Sequence, residues 1–160
     1  WIWCASGSFW TWHSWEGCEG IDDAGYQGPG AEYLRPMSDF FRSIAFWRLN
    51  PNHTVFAADN PAVIGTSAAD AARDLAVVYL CTPESGAKAA SFKARVRLPA
   101  GAYRVEFIDP VDLSRAGSVQ LESRSLGAVQ QIEVPAFTDD LLVKIVNVRA
   151  AERTPLPGTG

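Results

Sequence analysis

SFKARVRLPAGAYRVEFI, residues 91–108, holds two runs in which apolar and polar side chains alternate without a break. Phe92, Ala94, Val96 and Leu98 oppose Lys93, Arg95 and Arg97; Tyr103, Val105 and Phe107 then oppose Arg104 and Glu106. A period of two puts successive side chains on opposite faces, the pattern of a half-buried strand in an antiparallel sheet. Pro99-Ala100-Gly101 supplies the turn between the runs. Working outward, further strands are expected at 54–58, 74–81, 117–122, 128–134 and 140–148, with turns at Asp109-Pro110 and Ser125-Leu126-Gly127. Short strands punctuated in this way through residues 53–149 predict a β-sandwich. Asp109, Asp112, Asp139 and Asp140 fall in turns, where aspartate bonds locally to backbone, and they are assigned no chemistry.

Upstream the period changes. Tyr33, Leu34, Met37, Phe40, Phe41 and Ile44 form one apolar stripe at helical spacing, which predicts a helix over 32–47. Pro36 fits near the first turn, and Asn50-Pro51 ends the segment. The stripe is wide and aromatic, so this helix should pack on a sheet or barrel, a structural role. His53, beside the junction, is read as structural too.

Residues 1–30, WIWCASGSFWTWHSWEGCEGIDDAGYQGPG, carry Trp1, Trp3, Trp10, Trp12 and Trp15, five of the six tryptophans in the chain. The opening IWCASGSFWTW reads as a strand, after which Gly17, Gly20, Gly25, Gly28 and Gly30 impose loop. Indole rings are large and apolar and must fill a core or line a concave site. Trp1, Trp3 and Trp10 are expected in the core, and Trp12 and Trp15 at a site. The sequence opens on apolar rings with nothing before them, so a longer parent is expected.

Composition narrows the classes of function. With 160 residues, 48% hydrophobic and 20% charged, the chain suits a folded soluble domain. The net charge is −4 and no Lys/Arg cluster occurs, which argues against a nucleic-acid partner. No apolar run approaches the ~20 residues needed to cross a bilayer, so no membrane partner is expected. Cys4, Cys18 and Cys81 give an odd count and no disulfide framework; a Cys4–Cys18 bridge and three buried thiols both fit. Zinc is not indicated, since C-x-x-C and H-x-x-x-H spacings are absent, and no cofactor is expected.

The run YLRPMSDFFRSIAFWRLNPNHTVF, followed by LAVVYLC and YRVEFIDPVDLS, resembles the C-terminal portion of apiosidase-like (β/α)8-barrel glycoside hydrolases. FFRSIAFWRLNP is the most specific part of the resemblance, which covers most of 5–148. In that family the barrel's final strand, loop and helix lead into a closing β-sandwich, commonly labelled a collagen-binding domain, a label inherited by name that carries little weight. Tyr103, Val105, Phe107, Asp109 and Pro110 match the family's strand and turn, with Phe107 in place of the usual tryptophan and VDLS where a glycine is customary. The resemblance implies a mostly β chain, with residues 1–50 as the last strand, Gly-rich loop and helix of a barrel and 51–149 as an antiparallel sandwich; the polar, Pro/Gly-rich composition of 150–160 predicts a disordered tail. It also implies a secreted or periplasmic setting and, as partners, a carbohydrate and the upstream barrel of the same protein.

Glycosidases need two carboxyls flanking the scissile bond, about 5–5.5 Å or about 6.5–9.5 Å apart. By the resemblance those acids lie on earlier barrel strands, upstream of this sequence. What remains is one wall of a sugar site: Trp12 and Trp15 stack on sugar C–H faces, while His13 and Glu16 hydrogen-bond hydroxyls. Glu16, paired with Glu19, Asp22 or Asp23, is the alternative acid/base, since clustered carboxylates raise one another's pKa. The same acids could bind calcium with loop carbonyls, or form a solvated loop. A second functional class also fits, a non-catalytic carbohydrate-binding or adhesive module using the Trp-rich strip for docking.

Overall fold

The computed structural model describes residues 1–6, 31–125 and 127–151. The chain is mostly β, with antiparallel sheets. A helical turn α1 (Ile2–Ala5) and helix α2 (Ala31–Arg42) precede a 3₁₀ turn at Phe46–Arg48. Strands β1 (Asn50–Pro51), β2 (Phe56–Ala58), β3 (Ile64–Ala69), β4 (Leu75–Cys81), β5 (Lys88–Ala89) and β6 (Phe92–Arg97) follow. Then come β7 (Gly101–Ile108), β8 (Arg115–Ser123), β9 (Val129–Val134), β10 (Phe137–Thr138) and β11 (Asp140–Asn147), with a short helix α3 (Val148–Ala151) after them. The six-stranded sheet has the order β1-β3-β4-β11-β7-β8, and a three-stranded sheet the order β2-β6-β9; β5 pairs with β10.

One core joins the two larger sheets. From the six-stranded sheet come Ala76, Val78 and Leu80 of β4, Leu141, Val143 and Ile145 of β11, and Tyr103, Val105 and Phe107 of β7. From the smaller sheet come Phe56, Ala94, Val96, Ile132 and Val134. Gly117 lies opposite Phe107 in the β7–β8 ladder, and a Cβ there would stand 3.6 Å from the Phe107 ring. The opposite face of the large sheet is apolar as well. Leu75 and Val77 of β4 and Leu142 of β11 pack with Phe40, Ile44 and Ala45, with Trp1, Phe41, Phe46 and Tyr79 around them. Trp1 meets Phe40 edge-on at 5.6 Å between ring centroids. The helix stripe therefore lies on a sheet, and the stacking is small sheet, large sheet, helix.

All seven expected strands form, but the sequence reading missed β3. Its residues, IGTSAA, are small, and small side chains and glycine weaken strand propensity. Their size is what the position needs. Ser67, Ala68 and Ala69 are buried, and the Ser6 hydroxyl meets Thr66 Oγ1 at 2.8 Å. A second correction concerns the opening: residues 2–5, read as strand, form a helical turn, because Ala5 (0% exposed) and Ser6 dock onto the face of β3 and β4 rather than along an edge. The helix also differs. Pro36 lies in the second turn of α2 and leaves the Glu32 carbonyl without its intrahelical donor. α2 ends at Arg42, where the Ser43 hydroxyl donates to the Phe40 carbonyl at 2.7 Å; the apolar stripe continues through Ile44 and Ala45 in a turn.

Candidate functional site

The residues proposed from sequence to line a sugar site (Trp12, His13, Trp15 and Glu16) lie outside the described residues, as do Cys18, Glu19, Asp22 and Asp23. Cys4 and Cys81 carry free thiols, and burial pushes both above their ordinary pKa. His53 is exposed in the turn before β2.

The described residues do form a charged cleft that sequence reasoning missed. It lies where α2 crosses the outer face of β7 and β11, and its volume is about 400 Å³. Its centre is Glu106, 4% exposed, which the β ladder sets directly opposite Lys144. Glu106 Oε1 accepts ion pairs from Arg115 Nη2 at 2.6 Å and Arg104 Nε at 3.4 Å, and Oε2 faces Lys144 Nζ at 3.8 Å. Ile108 and Leu113 give the cleft an apolar side, and Asp39 and Ser43 of the helix segment close it from above.

Arg115 reaches this face because of a bulge. Phe107 pairs with Gly117 but Ile108 pairs with Arg115, so Ala116 is an extra residue in β8. Strict alternation from Gly117 would turn Arg115 toward the inter-sheet core; the extra residue returns it to the outer face, where it meets Glu106. Bulges commonly re-aim a side chain in this way. Burial, above all, lowers the Lys144 pKa from its ordinary 10.5; Glu106 pulls it up, while Arg104 and Arg115 push it further down.

A general acid for glycoside cleavage must offer a carboxyl oxygen to the leaving group. Both Glu106 oxygens are already turned to cations, so this arrangement suits binding charge rather than delivering a proton.

Three other acidic residues have local roles. Asp70, 2% exposed, closes the β3–β4 connection: Oδ1 accepts from the backbone N–H of Asp74 and Leu75 at 2.7 and 3.2 Å, and Oδ2 from Arg48 at 2.6 Å. Asp109 and Asp112 accept from Val111 and Ser114 N–H within the β7–β8 turn, as expected of turn aspartates. Asp140 is different. Tyr79 donates to its Oδ2 at 2.8 Å, and burial together with Asp109 and Asp139 raises its pKa despite that bond. Burial first, and then Asp140, push the Tyr79 phenol well above its ordinary range.

A carboxyl with a raised native pKa binds protons that the unfolded chain has already lost. Its contribution to stability is complete below the ordinary value of 3.8 and is lost as pH climbs through the shifted value. Asp140→Asn is therefore expected to remove one downward component from the stability profile above pH 3.8. Urea midpoints of both proteins across the acidic range check this; parallel profiles would show that Asp140 titrates normally.

No family model and no curated protein matches this sequence. Solved structures do. A protein described as a glycoside hydrolase superposes with a TM-score of 0.54 at 13% identity, covering 77% of this chain and 26% of its own. A family 5 glycoside hydrolase from Bacteroides vulgatus gives a TM-score of 0.53 at 14% identity, covering 84% of this chain and 28% of its own. The chain thus has a fold related to part of glycoside hydrolase structures and spans about a quarter of the length of each.

Proposed function

We propose that this chain is the C-terminal part of a carbohydrate-active hydrolase, in which the layered sheets buttress a sugar site whose aromatic wall is Trp12, His13, Trp15 and Glu16. The supporting observation is the covered outer face of the large sheet. In the described residues the helix that follows the Trp-rich segment lies on Leu75, Val77 and Leu142, so the sandwich fixes the element that leads from that wall. The fold shared with portions of glycoside hydrolases supports the same reading. The catalytic carboxyl pair then belongs to the upstream barrel, and the parent cleaves glycosidic bonds.

The test is binding by this chain to neutral oligosaccharides, followed by indole fluorescence, together with hydrolysis by the full gene product. Trp12→Ala and Trp15→Ala should each weaken binding by about tenfold, the loss of one stacked ring at about 1–1.5 kcal/mol. The same changes should lower kcat/KM of the full product. Unchanged affinity in both variants, or turnover by this chain alone that vanishes in Glu16→Gln, would overturn the proposal. Binding without hydrolysis by the full product would leave a carbohydrate-binding module instead.

A further inference from the structure

We propose that the cleft between α2 and strands β7 and β11 binds an acidic monosaccharide unit, a uronic acid, through its carboxylate. The sugar part of this assignment rests on the carbohydrate role proposed above; the anion part rests on the cleft itself. Arg115 and Lys144 line a recess of about 400 Å³ together with Asp39 and Glu106, and Arg104 pairs with Glu106 beside it, so the one buried carboxylate is shared among three cations. That volume falls within the range of small-molecule sites.

Lys144 is the telling residue. Its ammonium has three donors, its side chain is 20% exposed, and its ion-pair partner Glu106 Oε2 stands at 3.8 Å, beyond hydrogen-bonding distance. A carboxylate entering the cleft would supply the missing acceptor. Arg115 adds a guanidinium whose Nη2 lies 2.6 Å from Glu106 Oε1 and whose planar fork of donors matches a carboxylate's two oxygens. The bulge at Ala116 is the device that puts this arginine here at all. Ile108 and Leu113 offer an apolar surface to sugar C–H groups, and Asp39 and Ser43 can accept from ring hydroxyls.

The experiment is titration of the ¹⁵N-labelled chain with glucuronate, galacturonate, glucose and sulfate, reading amide shifts of 104–108, 113–115 and 142–146. The two uronates should shift these amides saturably, glucose should not, and sulfate should bind at least tenfold more weakly. Lys144→Met, which keeps the apolar stem, and Arg115→Gln, whose amide can still donate to Glu106, should each weaken uronate binding at least tenfold, with the circular-dichroism spectrum of each variant checking that it folds.

Absence of uronate shifts at millimolar concentration overturns the assignment. Equal binding of sulfate reduces the cleft to an adventitious ion site, and equal binding of glucose removes the role of charge. Either result also overturns it. Failure here alongside neutral-sugar binding that depends on Trp12 and Trp15 would sink this inference alone; loss of binding to every sugar would sink the carbohydrate reading with it.

Discussion

Phe107→Ala is expected to lower the unfolding free energy by about 3–5 kcal/mol, the usual range for deleting a buried phenyl ring. The ring is 2% exposed and belongs to the core shared by both larger sheets, where its strand neighbour on β11 is Val143. Gly117 across the ladder has no side chain to move into the space. The void therefore persists, and its lining loses dispersion contacts on several sides at once. For a domain of this size the melting temperature should fall by roughly 10 °C or more. Circular dichroism during guanidinium unfolding gives the measurement. A loss below about 1 kcal/mol would mean that the two sheets do not share a packed core.

Asp70→Ala should cost about 2–4 kcal/mol, and the order of three variants identifies the reason. Removing the carboxylate orphans two backbone donors, those of Asp74 and Leu75, at the connection where β3 returns as β4. It also strips Arg48 of its partner. Asp70→Asn keeps an acceptor for the backbone and should lose about half as much. Arg48→Ala should lose about 1 kcal/mol or less, because that guanidinium is 40% exposed and partly screened by water. Equal losses in Arg48→Ala and Asp70→Ala would show that the ion pair, and not the backbone bonds, holds the turn.

The alternations at 92–98 and 103–107 located two central strands because each has one face toward the core and one away from it. LAVVYLC and DLLVKIVNV are nearly continuous in apolar residues, and that continuity reports burial on both sides. The helix stripe and these two-sided strands call for each other: an aromatic stripe needs an apolar sheet face, and Leu142 and Val77 provide it. IGTSAA gave no such signal, since its residues were chosen for closeness to α1 and not for strand propensity. Lys144 was visible as the one charge interrupting an apolar run, a pattern that points to a charge held among buried neighbours.

The sequence by itself determined the mostly β character, the seven longer-signalled strands and the amphipathic helix, because periodicity is a local property that burial on one face writes into consecutive residues. Only the tertiary structure decided which face of the large sheet the helix covers, and that Glu106, read as an outward polar residue, is buried beneath it. The placement of Arg115 was likewise invisible beforehand. One extra residue at Ala116 reverses which face the arginine occupies, and such a bulge exists only as a register between two paired strands, not as a pattern within either one.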